Sequence, residues 1–191
     1  MATQTTVKIV VLVLLALLVI GSVLFVLAKK RLSVRETSGA GLALREMFLT
    51  LSPQDAGVTP PDTPLGVWAA AMDLSFANGT ATLVTTIDGA ASLYYSSGGG
   101  VIGGEAHDQV RAAAARFVAA VEQCSPHLPC GKPEALPAAG HVRFYAHSRS
   151  GLLRSAEVSE EALSDNSHPL APCFAAAHDV ITQLRQSGPA A

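Results

Sequence analysis

Residues Ile9 to Ala28, IVVLVLLALLVIGSVLFVLA, form a run of twenty positions without a charge that ends at Lys29-Lys30-Arg31. Twenty helical residues rise about 30 Å, the thickness of a bilayer's hydrocarbon core. A segment in lipid must satisfy its own backbone hydrogen bonds, so the run is expected to be a single transmembrane helix. A cleaved signal peptide fits less well. The apolar stretch is long, its leading basic region is Lys8 alone, and no small-x-small site precedes the basic cluster. Gly21 and Ser22 are the small residues such helices tolerate at packing faces. Four cations (Lys29, Lys30, Arg31, Arg35) follow the run against Lys8 before it, so the positive-inside rule places the following domain in the cytoplasm.

The expected organisation is a tail over 1–8, the membrane helix over 9–28, a basic linker over 29–40, one domain over 41–187 and a tail over 188–191. A domain of that length buries a core of its own. All fifteen acidic residues, but only eight of the thirteen cations, lie at or beyond Glu36, which leaves that portion near −7. Such a balance excludes nucleic acid as a natural partner. The basic linker instead suits anionic headgroups, at about 1 kcal/mol per cation near the surface. Three cysteines are too few for a disulfide scaffold and read as free thiols in a reducing compartment. In an oxidising one, Cys124 and Cys130 would close a small loop.

Within the domain, Leu44, Met47, Phe48 and Leu51 fall at i, i+3, i+4 and i+7, one apolar helical face ended by Ser52-Pro53. A proline-rich connection then runs to residue 64. Trp68, Ala70, Met72, Leu74 and Phe76 alternate with Ala69, Ala71, Asp73 and Ser75, and Asn78-Gly79 and Asp88-Gly89 punctuate the next twenty or so positions. These dipeptides suit type I′ hairpin turns, so a three-stranded antiparallel meander is expected over about 66–97. A glycine-rich stretch leads to a helix with Val110, Ala114, Phe117 and Val121 as its buried stripe. After a proline-rich loop over 124–140, His141 to His147 alternate again, and Ser150-Gly151 turns the chain into a second hairpin. A short helical turn at 159–163 precedes a last helix carrying Pro172 in its first turn and Phe174, Ala177, Ile181 and Leu184 on its inner face. The fold class is α+β: an antiparallel sheet of about five strands packed by helices.

Over 41–187 this element order resembles the roadblock, longin and profilin group of small α+β domains. That resemblance implies a dimerising or GTPase-associated scaffold. The segment Ser92 to Gly104, SLYYSSGGGVIGG, is similar to a stretch of uncharacterised bacterial membrane-anchored proteins, which implies a bacterial source.

Two stretches qualify as candidate sites. Gly98, Gly100 and Gly103 match G-x-G-x-x-G between a predicted strand and a helix, where backbone amides bind anions. Tyr95, Ser97, Gly98, Gly99, Gly100, Gly103 and Gly104 are therefore the ligand-binding candidates, with Tyr94 and Ser96 beside them. The dinucleotide reading fails because no second strand closed by an acid comes after; Glu122 still belongs to the helix. The competing role for these glycines is positive φ or close backbone packing. Cys124, His127 and Cys130 have permissive zinc spacing, with His141 as a conceivable fourth donor, but match no common structural site. His141, Arg143, Tyr145 and His147 share one strand face, read as the solvated side of an edge hairpin.

No G-x-S-x-G, H-E-x-x-H or P-loop lysine is present, so no catalytic residue and no cofactor is assigned. The sequence thus points to a membrane-anchored, non-enzymatic interaction or scaffold module with a protein partner or a second copy of itself. A small-ligand or anion sensor using the Gly98–Gly104 loop is the alternative. A metal-dependent enzyme around Cys124, His127 and Cys130 is the third reading.

Overall fold

The computed structural model describes residues 39–187 apart from residue 133; the expected anchor, both tails and the basic linker up to residue 38 lie outside those residues, while residues 39 and 40, expected in the linker, are helical. Among the described residues no helix is long and apolar enough to cross a membrane.

The order is helix α1 (residues 39–49), strands β1 (Ala69–Phe76), β2 (Gly79–Thr86), β3 (Ala91–Tyr95) and β4 (Gly100–Val101), helix α2 (Asp108–Gln123), strands β5 (His141–Ser148), β6 (Gly151–Arg154) and β7 (Val158–Ser159), then helices α3 (Glu160–Ser164) and α4 (Ala171–Ser187). All seven strands form one antiparallel sheet in the order β4-β3-β2-β1-β5-β6, with β7 also paired to β5. The meander and the second hairpin stand as read. The two additional strands are two residues each, too short for alternation to register. β6 and β7 run along the same side of β5 and are separated at Ser155, whose backbone N–H donates to Phe144 O at 3.0 Å while its hydroxyl accepts from Phe144 N at 2.9 Å.

The turns differ in type from the expected I′. Asn78 does not have a positive φ, and Ala77-Asn78 form the loop between the paired residues Phe76 and Gly79. At the second turn Gly89 N donates to Thr86 O and Gly89 alone takes φ +92, the arrangement of a three-residue hairpin loop. In both hairpins the positive φ falls on the glycine that follows the two central turn residues, Gly79 and Gly89.

The sheet is covered on both faces. On one, Met72, Leu83, Leu93, Phe144 and Leu153 meet Val110, Phe117 and Val121 of α2 and Phe174, Ile181 and Leu184 of α4. The stripes expected on both helices are the buried ones. On the other face Phe48, Leu49, Trp68, Ala69, Ala71 and Tyr145 form a second, smaller core beneath α1 and the 50–64 connection. Trp68, placed by alternation with Met72, belongs to this second core because β1 begins only at Ala69.

α1 is rotated from the face its apolar residues suggest. Gly41, Arg45, Phe48 and Leu49 point inward, and Met47 is 59 % exposed. The cause is Asp73, which the sheet presents to α1 and which requires a cation above it. The close approach also needs Gly41, since a Cβ there would collide with Tyr95 O.

Candidate functional site

The glycine loop is divided by the strand it contains. Ser96 to Gly99 turn the chain between β3 and β4, with Gly98 N donating to Tyr95 O at 2.9 Å and Tyr95 N to Gly99 O at 3.2 Å. β4 and a 3-10 turn at Gly104–Ala106 then intervene before α2 begins at Asp108. The G-x-G-x-x-G residues therefore do not sit at the start of α2, whose first turn already carries the acid Asp108.

The candidates separate accordingly. Tyr95 and Ser97, with Phe76 and Thr80, line a cavity of about 140 Å³ between the two hairpin turns. Gly103 and Gly104, with Ile102, His107 and Leu184, line another of about 160 Å³ beside α4. Gly98, Gly99 and Gly100 line neither. Several of these glycines have structural work. Gly98, Gly99 and Gly103 take φ of +98, +80 and +83. A Cβ on Gly100 would enter Leu93 O, and one on Gly104 would lie 2.6 Å from Leu184 Cδ2 and 2.7 Å from Val110 Cγ1.

The cysteine loop does not assemble a metal centre. Cys124, at the end of α2, is buried with its thiol 3.6 Å from Pro169 O, while Cys130 is exposed and bridges by backbone to Leu153. Among the described residues no group of three or more His, Cys, Asp or Glu side chains is placed to hold a metal ion.

The densest polar chemistry lies on the face read as solvated, and the structure corrects that reading. β5 is an interior strand, and Arg143, Tyr145 and His147 are buried; His141 at its start is partly exposed. Arg45 of α1 reaches down to this face. Its Nε donates to Asp73 Oδ2 at 2.7 Å and its second terminal nitrogen to Tyr145 Oη at 3.1 Å and Glu134 O at 2.9 Å. The guanidinium also lies 5.5 Å from the centre of the Tyr145 ring. Thr82 Oγ1 donates to the other Asp73 oxygen at 2.7 Å. Burial pushes the Asp73 carboxyl above the usual carboxylate value, with Arg45 and Thr82 holding it back. Next to this pair Arg143 binds Glu157 at 3.0 Å and Glu134 at 3.3 Å, and Arg154 binds Glu134 at 3.0 Å.

His147 completes the face. Its ring stacks on Trp68 with centroids 4.9 Å apart, and its Nε2 lies 2.6 Å from Phe48 O. A carbonyl only accepts, so Nε2 carries the proton. Burial lowers the His147 pKa, opposed by this hydrogen bond, and the ring is neutral at pH 7.

These groups leave little free chemistry. Each carboxylate of the cluster is bound by an arginine, and among the described residues no hydroxyl or thiol nucleophile is hydrogen-bonded to His147. Arg45, Asp73, Thr82, Glu134 and Glu157 escaped the sequence reading; the available signal was the unbroken apolar run Trp68 to Met72, which marks a strand covered on both faces. Glu122 is structural too, accepting from Leu65 N at 3.0 Å and Val67 N at 2.9 Å.

The fold and cluster define an α+β domain with a three-layer arrangement and an ionic second core. No family model, curated protein or solved structure matches the chain.

Proposed function

We propose that this protein is a membrane-anchored, non-enzymatic interaction module: residues 9–28 form the anchor, residues 29–35 a basic collar on the cytoplasmic side, and the α+β domain meets a protein partner or a second copy of itself. The observation that supports this reading is the exchange of polar and apolar groups on α1. Arg45 is directed into the sheet, while Leu42 and Met47 are 41 % and 59 % exposed. Isolated exposed apolar residues are ordinary, but a helix that buries its arginine and presents leucine and methionine suits a surface that another protein covers. Both sheet faces are already occupied, so helix faces or sheet edges remain for contact. The resemblance of the expected element order to roadblock and longin domains is in keeping with a scaffold role.

Chemical crosslinking of the full chain in its membrane, with Met47→Glu as the comparison, tests the reading. A crosslinked dimer or specific complex weakened by Met47→Glu supports it. A strictly monomeric chain that crosslinks to nothing overturns it.

A second reading rests on the cavity beside Gly103 and Gly104, where a small ligand would meet Ile102, His107 and Leu184. Thermal-shift screening against nucleotides, phosphates and carboxylates tests it, since a ligand at a hundredfold excess over Kd stabilises by about 2.7 kcal/mol.

A further inference from the structure

We infer that Cys124 and Cys173 are a disulfide-forming pair that, on oxidation, staples the end of α2 to the first turn of α4. The two residues are about fifty positions apart in sequence, yet both converge on one carbonyl. Ala120 O accepts from Cys124 N at 2.9 Å and from the Cys173 thiol at 3.4 Å. That places the Cys173 sulfur against the last turn of α2, on the same carbonyl that receives the Cys124 backbone N–H. On the other side, the Cys124 thiol is 3.6 Å from Pro169 O, in the segment that leads into α4. Each cysteine thus contacts the other's helix or its approach. Cys130, six positions from Cys124, is directed to solvent and takes no part.

Disulfide formation requires sulfurs that already face one another on a backbone that need not move. α2 and α4 are neighbours in the main core, packed through Val121, Cys124, Cys173 and Ala177, so the bond adds a covalent link to an existing contact. With oxidised glutathione as the oxidant, the Cys124 thiolate attacks one glutathione sulfur and releases one glutathione. The Cys173 thiolate then attacks the Cys124 sulfur and releases the second. Two protons and two electrons leave the protein, and one glutathione disulfide becomes two thiols. Cys124 is the entry point because it is 7 % exposed, against 0 % for Cys173. Burial, then the neighbouring Cys124 thiol, pushes the Cys173 thiol far above its ordinary value, so the folded dithiol exchanges slowly and the staple closes during folding or local opening.

The test uses the full chain, reduced in detergent and then held with oxidised glutathione. Thiols are counted by maleimide gel shift after denaturation, and the linkage is mapped by mass spectrometry of proteolytic peptides, in the native sequence and in Cys130→Ser. The expected result is loss of two thiols, a peptide joining Cys124 to Cys173 in both chains, and a Tm roughly 10 °C higher that falls back on reduction, as a loop of this length implies. Three titratable thiols after prolonged oxidation, or a linkage that involves Cys130 and disappears in Cys130→Ser, would overturn the inference. The native-sequence mapping decides the matter without any core variant.

Discussion

Arg45 Nε lies 2.7 Å from Asp73 Oδ2, with both side chains at least 96 % buried, and this contact joins α1 to the central strand of the sheet. Removing one partner leaves the other charged and without water. Asp73→Ala or Arg45→Ala is therefore expected to cost about 3–5 kcal/mol. Replacing both with apolar residues, Arg45→Met with Asp73→Leu, should cost far less than the two single changes together, because neither charge is left stranded. Urea unfolding of the three variants checks this. Additive losses would show that the two groups do not act as a pair.

His147 makes stability depend on pH. Its native pKa lies below the ordinary 6.5, so above that value the ring is neutral in both folded and unfolded chains and contributes no slope. As pH falls below 6.5 the unfolded chain binds a proton that the native chain refuses, and stability declines until the native value is passed. The limiting slope is about 1.4 kcal/mol per pH unit for one such group. His178 is lowered in the same direction by burial, so two groups contribute. His147→Phe keeps a ring against Trp68, and Phe48 O retains its bond from Leu51 N at 3.1 Å. Unfolding midpoints between pH 7 and 5 should fall less steeply in that variant than in the native sequence.

The same side chains show what the sequence carried and what it did not. The meander and the buried stripes of α2 and α4 were legible because turn dipeptides and helical periodicity are local signals. β4 and β7 were not, since two-residue strands form only through their neighbours. Asp73, Arg143 and His147 alternate with apolar residues as a solvated face would, and nothing in alternation distinguishes water from a covering helix. Arg45 was hidden for the complementary reason: a charge between Leu44 and Phe48 ordinarily marks the outer side of a helix. The glycine loop was located correctly as a connection into α2, but β4 within it separates residues that the motif treats as one cradle.

Two of those glycines predict different outcomes for the same change. A Cβ at Gly104 meets Leu184 and Val110 in the core, so Gly104→Ala should cost about 1–3 kcal/mol through overpacking. Gly99 has φ +80 with open space around its Cβ, so Gly99→Ala should cost only the backbone strain, roughly 1 kcal/mol. Thermal unfolding ranks them. Equal losses would mean that packing at Gly104 relaxes, and would remove the structural account of its presence.

Glu122 predicts the behaviour of the proline-rich connection under acid. Burial works against its charge, but the backbone N–H groups of Leu65 and Val67 outweigh that and hold the carboxyl below its ordinary 4.5. A carboxylate of this kind contributes stability that is fully present above pH 4.5 and is lost as pH falls through the lower native value. Glu122 also borders a cavity of about 260 Å³ with Pro61, Val67, Ile87 and Val118, so it fastens the chain across an apolar hollow beside α2. Glu122→Ala leaves two amides without their acceptor and should cost about 1–3 kcal/mol. Glu122→Gln keeps one acceptor oxygen without the charge, so it should fall between the two and flatten the acid limb of the stability curve. Hydrogen exchange at Leu65 and Val67 reads the effect where it arises: both amides should exchange faster in Glu122→Ala, with Glu122→Gln intermediate. Unchanged exchange in both variants would show that the connection is held by its prolines alone.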